Sequence, residues 1–250
     1  MRDALIVSTA RTPLTKSYRG TFNNTPAPTM AGWAIKEAVK RSGVDPEKVD
    51  DVIMGAALQQ GTQHCNVARN AALAAGLPVT VSGMTLDRQC SSGMMAIATA
   101  AKQIISDGMD VAVGGGLDSI SLVQTEKMNL DRWVDKNLIA KHKHIYMPML
   151  KTAEVVANRY NISRESQDVY SLQSQLRTAK GQEEGRFDDE IISVTTTMGV
   201  MDKITKEISF VEKTTSKDEC NRPNTTIEGL SSLNPVVEGG SITAGNASQF

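Results

Sequence analysis

Short apolar runs alternate with alanine-rich helical stretches through the first 120 residues. This alternation limits the possible folds more than any other feature of the chain. Ala4 to Ser8 reads as a short buried strand. Met30 to Ser42 reads as a helix stopped by Gly43 and Pro46. Asp51 to Leu58 is a strand, and Val67 to Ala75 a helix ended by Gly76-Leu77-Pro78. Val79 to Leu86 is a strand, Ser91 to Ser106 a helix and Val111 to Gly116 a further strand. The order predicts an α/β layer built on a largely parallel core sheet.

The helix that follows Cys90 is expected to lie at the centre of that layer. Met94, Ala98, Ala101 and Ile105 share one face, and Ile97, Ala100 and Ile104 widen it. A helix apolar on most sides is a buried one. Cys90 then sits where a strand feeds the N-terminus of a buried helix.

Beyond Leu117 the pattern changes. Residues 118 to 150 show no clear period. Thr152 to Arg159 and Glu165 to Glu184 read as polar-faced helices, the second entered through Ser163. Ile191 to Val211 holds short β-prone runs, and Thr214 to Thr226 is loop-like. Ser241 to Asn246 begins another strand-like segment that is expected to continue past Phe250. Three portions follow: an α/β domain over 1–117, an α+β loop domain over 118–240 and a return strand over 241–250.

Composition excludes several classes. Hydrophobic residues make up 40% and charged residues 22%, ordinary globular usage. Aromatics are only 4%, while there are 12 methionines. The core is therefore aliphatic, and soft methionine serves either as core filler or beside flexible apolar ligands. A net charge of −1 gives no global field to draw nucleic acid or an anionic membrane. No segment approaches the roughly 20 apolar residues that span a bilayer, and Met1 to Val7 is too short for a signal peptide. Cys65, Cys90 and Cys220 are widely spaced, which points to reduced thiols in the cytoplasm.

The candidate chemistry centres on Asp87-Arg88-Gln89-Cys90-Ser91-Ser92-Gly93-Met94. A helix N-terminus favours a thiolate, and its N–H groups can stabilise an oxyanion. Gly93, Ser91 and Ser92 leave room for a substrate. On residue chemistry alone, Cys90 reads first as a buried structural cysteine, a common fate for the residue. His64, His142 and His144 have no metal-ligand spacing, and no metal site is expected.

The segment 87–93 resembles the acyl-enzyme cysteine motif of thiolases. Other stretches resemble the same family in order: Ala10-Arg11-Thr12-Pro13, the run Ala68 to Pro78, Gly114 to Ser121, Glu184 to Ile191 and Thr243 to Ser248. Together they cover essentially the whole chain. The resemblance implies the layered thiolase fold, a parallel-rich mixed sheet with helices, and a CoA-binding loop domain. It implies that Cys90 takes an acyl group from an acyl-CoA or 3-ketoacyl-CoA and passes it to CoA or to an acetyl-CoA-derived carbanion. Coenzyme A thioesters are then substrates, no separate cofactor is needed, and a homodimer or homotetramer is expected.

Four further positions carry over by resemblance. Arg222 matches a basic position near the adenine end of CoA. Ala244 and Ser248 match positions along the pantetheine arm, and Met149 matches an apolar residue beside the acyl pocket. Short-chain biosynthetic members have a His directly before the residue matching Met149. Here it is Pro148, which favours broader or longer 3-ketoacyl-CoA. Family members also carry an Asn-Glu-Ala segment, a Gly-His-Pro motif and a second Cys in a Gly-rich loop. None occurs in these 250 residues, so the C-terminal half, with its general base and acid, is expected to be absent.

Rival readings are a 3-ketoacyl synthase on the same fold, a noncatalytic CoA- or lipid-binding protein, and a thiol redox protein. The last is disfavoured because no resolving cysteine lies near Cys90.

Overall fold

A computed structural model describes residues 2–248. The last two residues of the 241–250 segment, Gln249 and Phe250, and Met1 lie outside the described residues. By its contacts the chain divides into two compact units, and these do not follow chain order. One comprises residues 1–128 and 190–219, the other 129–189 and 220–250.

The first unit holds the predicted α/β layer. Its strands are β1 (Asp51–Gly55), β2 (Ser82–Leu86) and β3 (Ala112–Gly116), in the order β2-β1-β3 and all parallel. Ile53 faces Met84 on one side and Gly114 on the other. Every residue of β1 is buried, as expected for the central strand of a parallel sheet. Parallel neighbours need crossovers, and helices supply them. These are α2 (Val67–Ala74), between β1 and β2, and α3 (Ser92–Lys102), between β2 and β3, while α1 (Ala27–Ser42) precedes the sheet.

Each helix shows why it forms. In α1, Ala27, Ala31, Ile35 and Val39 recur at four-residue spacing and are all buried. Gly43 ends it at φ 69°, and its N–H donates to Lys40 O. Asn66 caps α2 by accepting from Arg69 N at 3.3 Å. The small face Ala68, Ala71 and Ala72 packs with Ile35, Val39 and Val52 in one apolar cluster. A second cluster joins Ile53 to Ala96 and Ala100 of α3. The parallel-rich α/β layer expected from the alternation is thus present.

The same unit includes a hairpin of β4 (Val194–Met201) and β5 (Ile208–Thr215). Asp202 makes its turn, its carboxylate accepting from Ile204 N and Thr205 N at 2.7 and 2.8 Å. The unit also has the single-turn helix α4 (Ile120–Val123).

The second unit contains α5 (Lys136–Lys141), α6 (Met149–Arg159), α7 (Arg164–Glu183) and α8 (Ile227–Ser231). Ser163 caps α7 as its sequence position predicts, accepting from Ser166 N at 3.1 Å. Among the described residues no helix is long and apolar enough to cross a membrane.

Three expectations are corrected. Ala4 to Ser8 forms no strand, and Leu5 is 77% exposed. Its apolar side chains demand burial, but no neighbouring backbone pairs with it among the described residues. The helix after Cys90 is buried on one face only: Ser92, Ala96 and Ala100 are covered, while Met94 is 77% exposed. It also relaxes into a π-helical turn over Gln103–Asp107 before Gly108 stops it at φ 84°. Ser241 to Asn246 is a tight turn with one isolated bridge, Pro235 to Thr243, because its polar side chains satisfy its own backbone.

Candidate active site

Cys90 lies in the short connection from β2 to α3, at the carboxyl ends of the parallel strands. That edge is where open α/β sheets place ligands. Glycine lets the backbones meet there. A Cβ on Gly116 would stand 2.8 Å from Gly93 Cα, and one on Gly55 would collide with the Ser92 backbone. A Cβ on Gly114 would be 2.8 Å from Ile97 Cα. The first turn of α3 therefore rests directly on β1 and β3, fixing the residue just before it.

The turn is closed by its own polar groups. Ser92 Oγ accepts from Arg88 N at 2.8 Å and donates to Gln89 O at 2.6 Å. Asp87 accepts from Gln89 N at 2.7 Å, and Ser91 Oγ donates to Arg88 O at 2.8 Å. Gln89 has φ 50°, a left-handed conformation costly for a side-chain-bearing residue. Cys90 is a free thiol and exposed. It directly precedes Ser91, the N-cap of an eleven-residue helix, and so lies in sequence next to the positive end of the helix dipole. Such an arrangement suits a nucleophile better than a core cysteine.

A buried glutamine braces the strand ends. Gln63 Nε2 donates to Leu58 O and to Asp118 Oδ1, both at 3.0 Å. Its Oε1 accepts from Ser119 N. Asp118 also accepts from Ala57 N at 3.1 Å. Burial of its carboxyl end pushes the Asp118 pKa up, although the residue as a whole is exposed. The Ala57 and Gln63 hydrogen bonds oppose this rise, and the like charge of Asp87 adds to it. Neither Gln63 nor Asp118 stands out as a site residue in the sequence. For Asp118 the available signal was a carboxylate just after the β3 run; Gln63 lies in the loop well beyond β1 and had no local signal.

The other carried-over positions lie in the second unit. A cleft of about 540 Å³ is lined by Gln175, Arg222, Asn224, Leu230, Ala244 and Ala247, among others. It brings Arg222 and Ala244 together. Ser248 is exposed next to the lining residue Ala247. Met149 is the first residue of α6, exposed and outside the lining. The Arg222 backbone is held by Gln175, whose Oε1 accepts from Arg222 N at 2.8 Å and from Asn221 Nδ2 at 2.9 Å. Among the described residues no group of three or more His, Cys, Asp or Glu is placed to hold a metal ion.

Comparison with known proteins extends this picture. A family model described as "Thiolase, N-terminal domain" matches residues 4–250. The chain is 40% identical to a 3-ketoacyl-CoA thiolase of Bacillus subtilis, over all of its own length and 63% of that relative's. It is 37% identical to the peroxisomal 3-ketoacyl-CoA thiolase 1 of Arabidopsis thaliana, covering 55% of that protein. It is 35% identical to an acetyl-CoA acetyltransferase of Cupriavidus necator. The crystal structure of the Bacillus anthracis acetyl-CoA acetyltransferase superposes with a TM-score of 0.83 at 36% identity, covering all of this chain and 63% of that one. The chain thus spans between half and two thirds of these relatives' lengths. With the match running from residue 4 through the Cys90 turn to residue 250, the chain belongs to the thiolase family.

Proposed function

We propose that this chain is the acyl-accepting part of a thiolase acyltransferase, with Cys90 as the nucleophile. The Cys90 thiolate attacks the carbonyl carbon of an acyl-CoA, forming a C–S bond as the CoA thiolate leaves. With a 3-ketoacyl-CoA it attacks the keto carbon, and the acetyl-CoA carbanion leaves. A second CoA, or an acetyl-CoA-derived carbanion, then takes the acyl group from the cysteine. The supporting observation is the exposed thiol directly ahead of α3, held by glycine contacts at the strand ends.

The 540 Å³ cleft is read as a site for CoA, with Arg222 towards the adenine and Ala244 and Ser248 along the pantetheine arm. Met149 is assigned to the acyl pocket. The CoA-binding loop domain proposed over 118–240 overlaps the second compact unit over 129–189 and 220–240. Acyl-CoA and CoA are the only ligands proposed, in a cytoplasmic homodimer or homotetramer with a preference for broader or longer 3-ketoacyl-CoA.

Mass spectrometry after incubation with acetyl-CoA tests the reading. One acetyl group is expected on the peptide containing Cys90 and none on the Cys90→Ser variant. CoA binding without an adduct would overturn the nucleophile reading and favour a noncatalytic CoA-binding protein. Labelling by carrier-protein thioesters in place of CoA thioesters would point to a ketoacyl synthase.

A further inference from the structure

The wall of the cleft that carries Ala244 and Ala247 is a turn, and two buried carboxylates hold it. Glu154, on α6, is buried and aimed at the start of the turn. Its Oε1 accepts from Ile242 N at 2.7 Å and from Ser241 N at 2.9 Å. Its Oε2 accepts from Ser241 N at 3.0 Å and from Ser241 Oγ at 3.2 Å. Glycine at position 240 leaves room for this approach, since a Cβ there would displace the Glu154 carboxylate. Asp168, on α7, holds the far side. Its Oδ1 accepts from Asn246 Nδ2 at 3.0 Å, while its Oδ2 pairs with Arg164 Nε at 2.8 Å.

Within the turn, Asn246 Oδ1 accepts from Thr243 N at 2.7 Å, and Asn246 Nδ2 also donates to Ser241 O at 3.1 Å. Thr243 Oγ1 accepts from Gly245 N at 3.1 Å, and Thr243 is fully buried. A carboxylate accepts several N–H donors at once, and such charge-assisted bonds are the strong ones. The Arg222 part of the lining has its own anchor, the Arg222 N–H donating to Gln175 Oε1.

We propose that Glu154, with Asp168 behind it, is a positioning residue that presents the 241–247 turn to the pantetheine arm of CoA. This rests on the reading of the cleft as a CoA site. Glu154 touches no ligand in this scheme; it acts through the backbone it holds.

The experiment is calorimetric titration of the full chain with CoA and, separately, with adenosine 3′,5′-bisphosphate, which lacks the pantetheine arm. In Glu154→Gln the amide keeps one acceptor and turns a donor towards Ser241 N. CoA affinity is expected to fall at least about tenfold. Affinity for the bisphosphate is expected to stay within about twofold, because the Arg222 wall has its own anchor. Gly240→Ala, which displaces the carboxylate from the other side, is expected to act in the same direction and covers the case in which Glu154→Gln does not fold. Amide exchange of Ile242 to Ala247 is expected to speed up in both variants without ligand. Unchanged CoA affinity in a variant would overturn the proposal. So would a proportional loss of both ligands, which marks general loosening. A wild-type chain that binds neither ligand would overturn the CoA reading itself, and this inference with it.

Discussion

At the residue scale, the site depends on what is missing from two strands, β1 and β3: side chains. Gly55, Gly114 and Gly116 lie under α3, where a Cβ would meet helix backbone rather than a movable side chain. Backbone cannot step aside, so overpacking here is expensive. Gly55→Ala is expected to cost about 3 kcal/mol, the upper end for overpacking, read as a lower urea midpoint. Gly43 is the control. Its φ is 69° and nothing lies within 4 Å of a Cβ there, so Gly43→Ala is expected to cost only about 1 kcal/mol, from backbone strain. The strand variant should also change the alkylation rate of Cys90 by iodoacetamide, because Ser92 is the neighbour displaced. The Gly43 variant should not. Equal losses of stability in the two variants would mean that α3 is not seated on the strand ends. Much of this was legible beforehand. Cys90 stood out through its neighbours Gly93 and Ser92, but the pairing of Gly93 with Gly116 joins positions far apart in sequence, and no local pattern reports it.

At the scale of elements, helices and central strands were legible because each obeys its own period. The four-residue apolar spacing of α1 and the Ser163 cap of α7 are local signals. The hairpin was less so. β5 is exposed along nearly its whole length, so it has no alternation to read, and Ile191 to Val211 looked like several short runs. Its base is instead held by one arginine from the start of the chain. Arg11 donates to Glu190 Oε1 at 2.7 Å and to both oxygens of Asp218 at 2.8 and 3.0 Å. Asp218 also accepts from Leu14 N at 2.7 Å. Burial pushes the Asp218 carboxyl up, but Arg11 and Leu14 N together bring it below its ordinary value. The folded form therefore favours the carboxylate. Its stabilisation is complete above the unfolded pKa, about 4, and disappears as pH falls through the lower folded value. Asp218→Asn is expected to lose about 1–2 kcal/mol at neutral pH, a modest figure because Arg11 is partly exposed. The variant and the wild type should converge in thermal stability as pH drops below about 4. A constant difference down to pH 2 would refute the link to ionisation.

At the scale of the whole molecule, the sequence signalled burial that the fold does not supply. Leu5, Ile6 and Val7 read as a buried strand because three consecutive aliphatic residues rarely face water. In the structure they are 77%, 78% and 68% exposed. The hydrophobic effect that periodicity detects is a demand for a partner, and periodicity says nothing of where the partner comes from. Covering one such side chain is worth roughly 1.5–3 kcal/mol, and the net charge of −1 offers little repulsion to keep two molecules apart. The isolated 250-residue chain is therefore expected to self-associate through this segment. Sedimentation velocity should show a weight-average mass that rises with concentration. Placing lysines at the two outer positions, Leu5→Lys and Val7→Lys, should move the distribution towards monomer at low salt, because it removes apolar surface and adds like charge. The double variant should leave α1, α2 and α3 intact, since neither side chain is part of the buried clusters, and its circular dichroism should match the wild type. Identical sedimentation of the two proteins, with unchanged dichroism, would show that the exposed N-terminal run is not what brings the chains together.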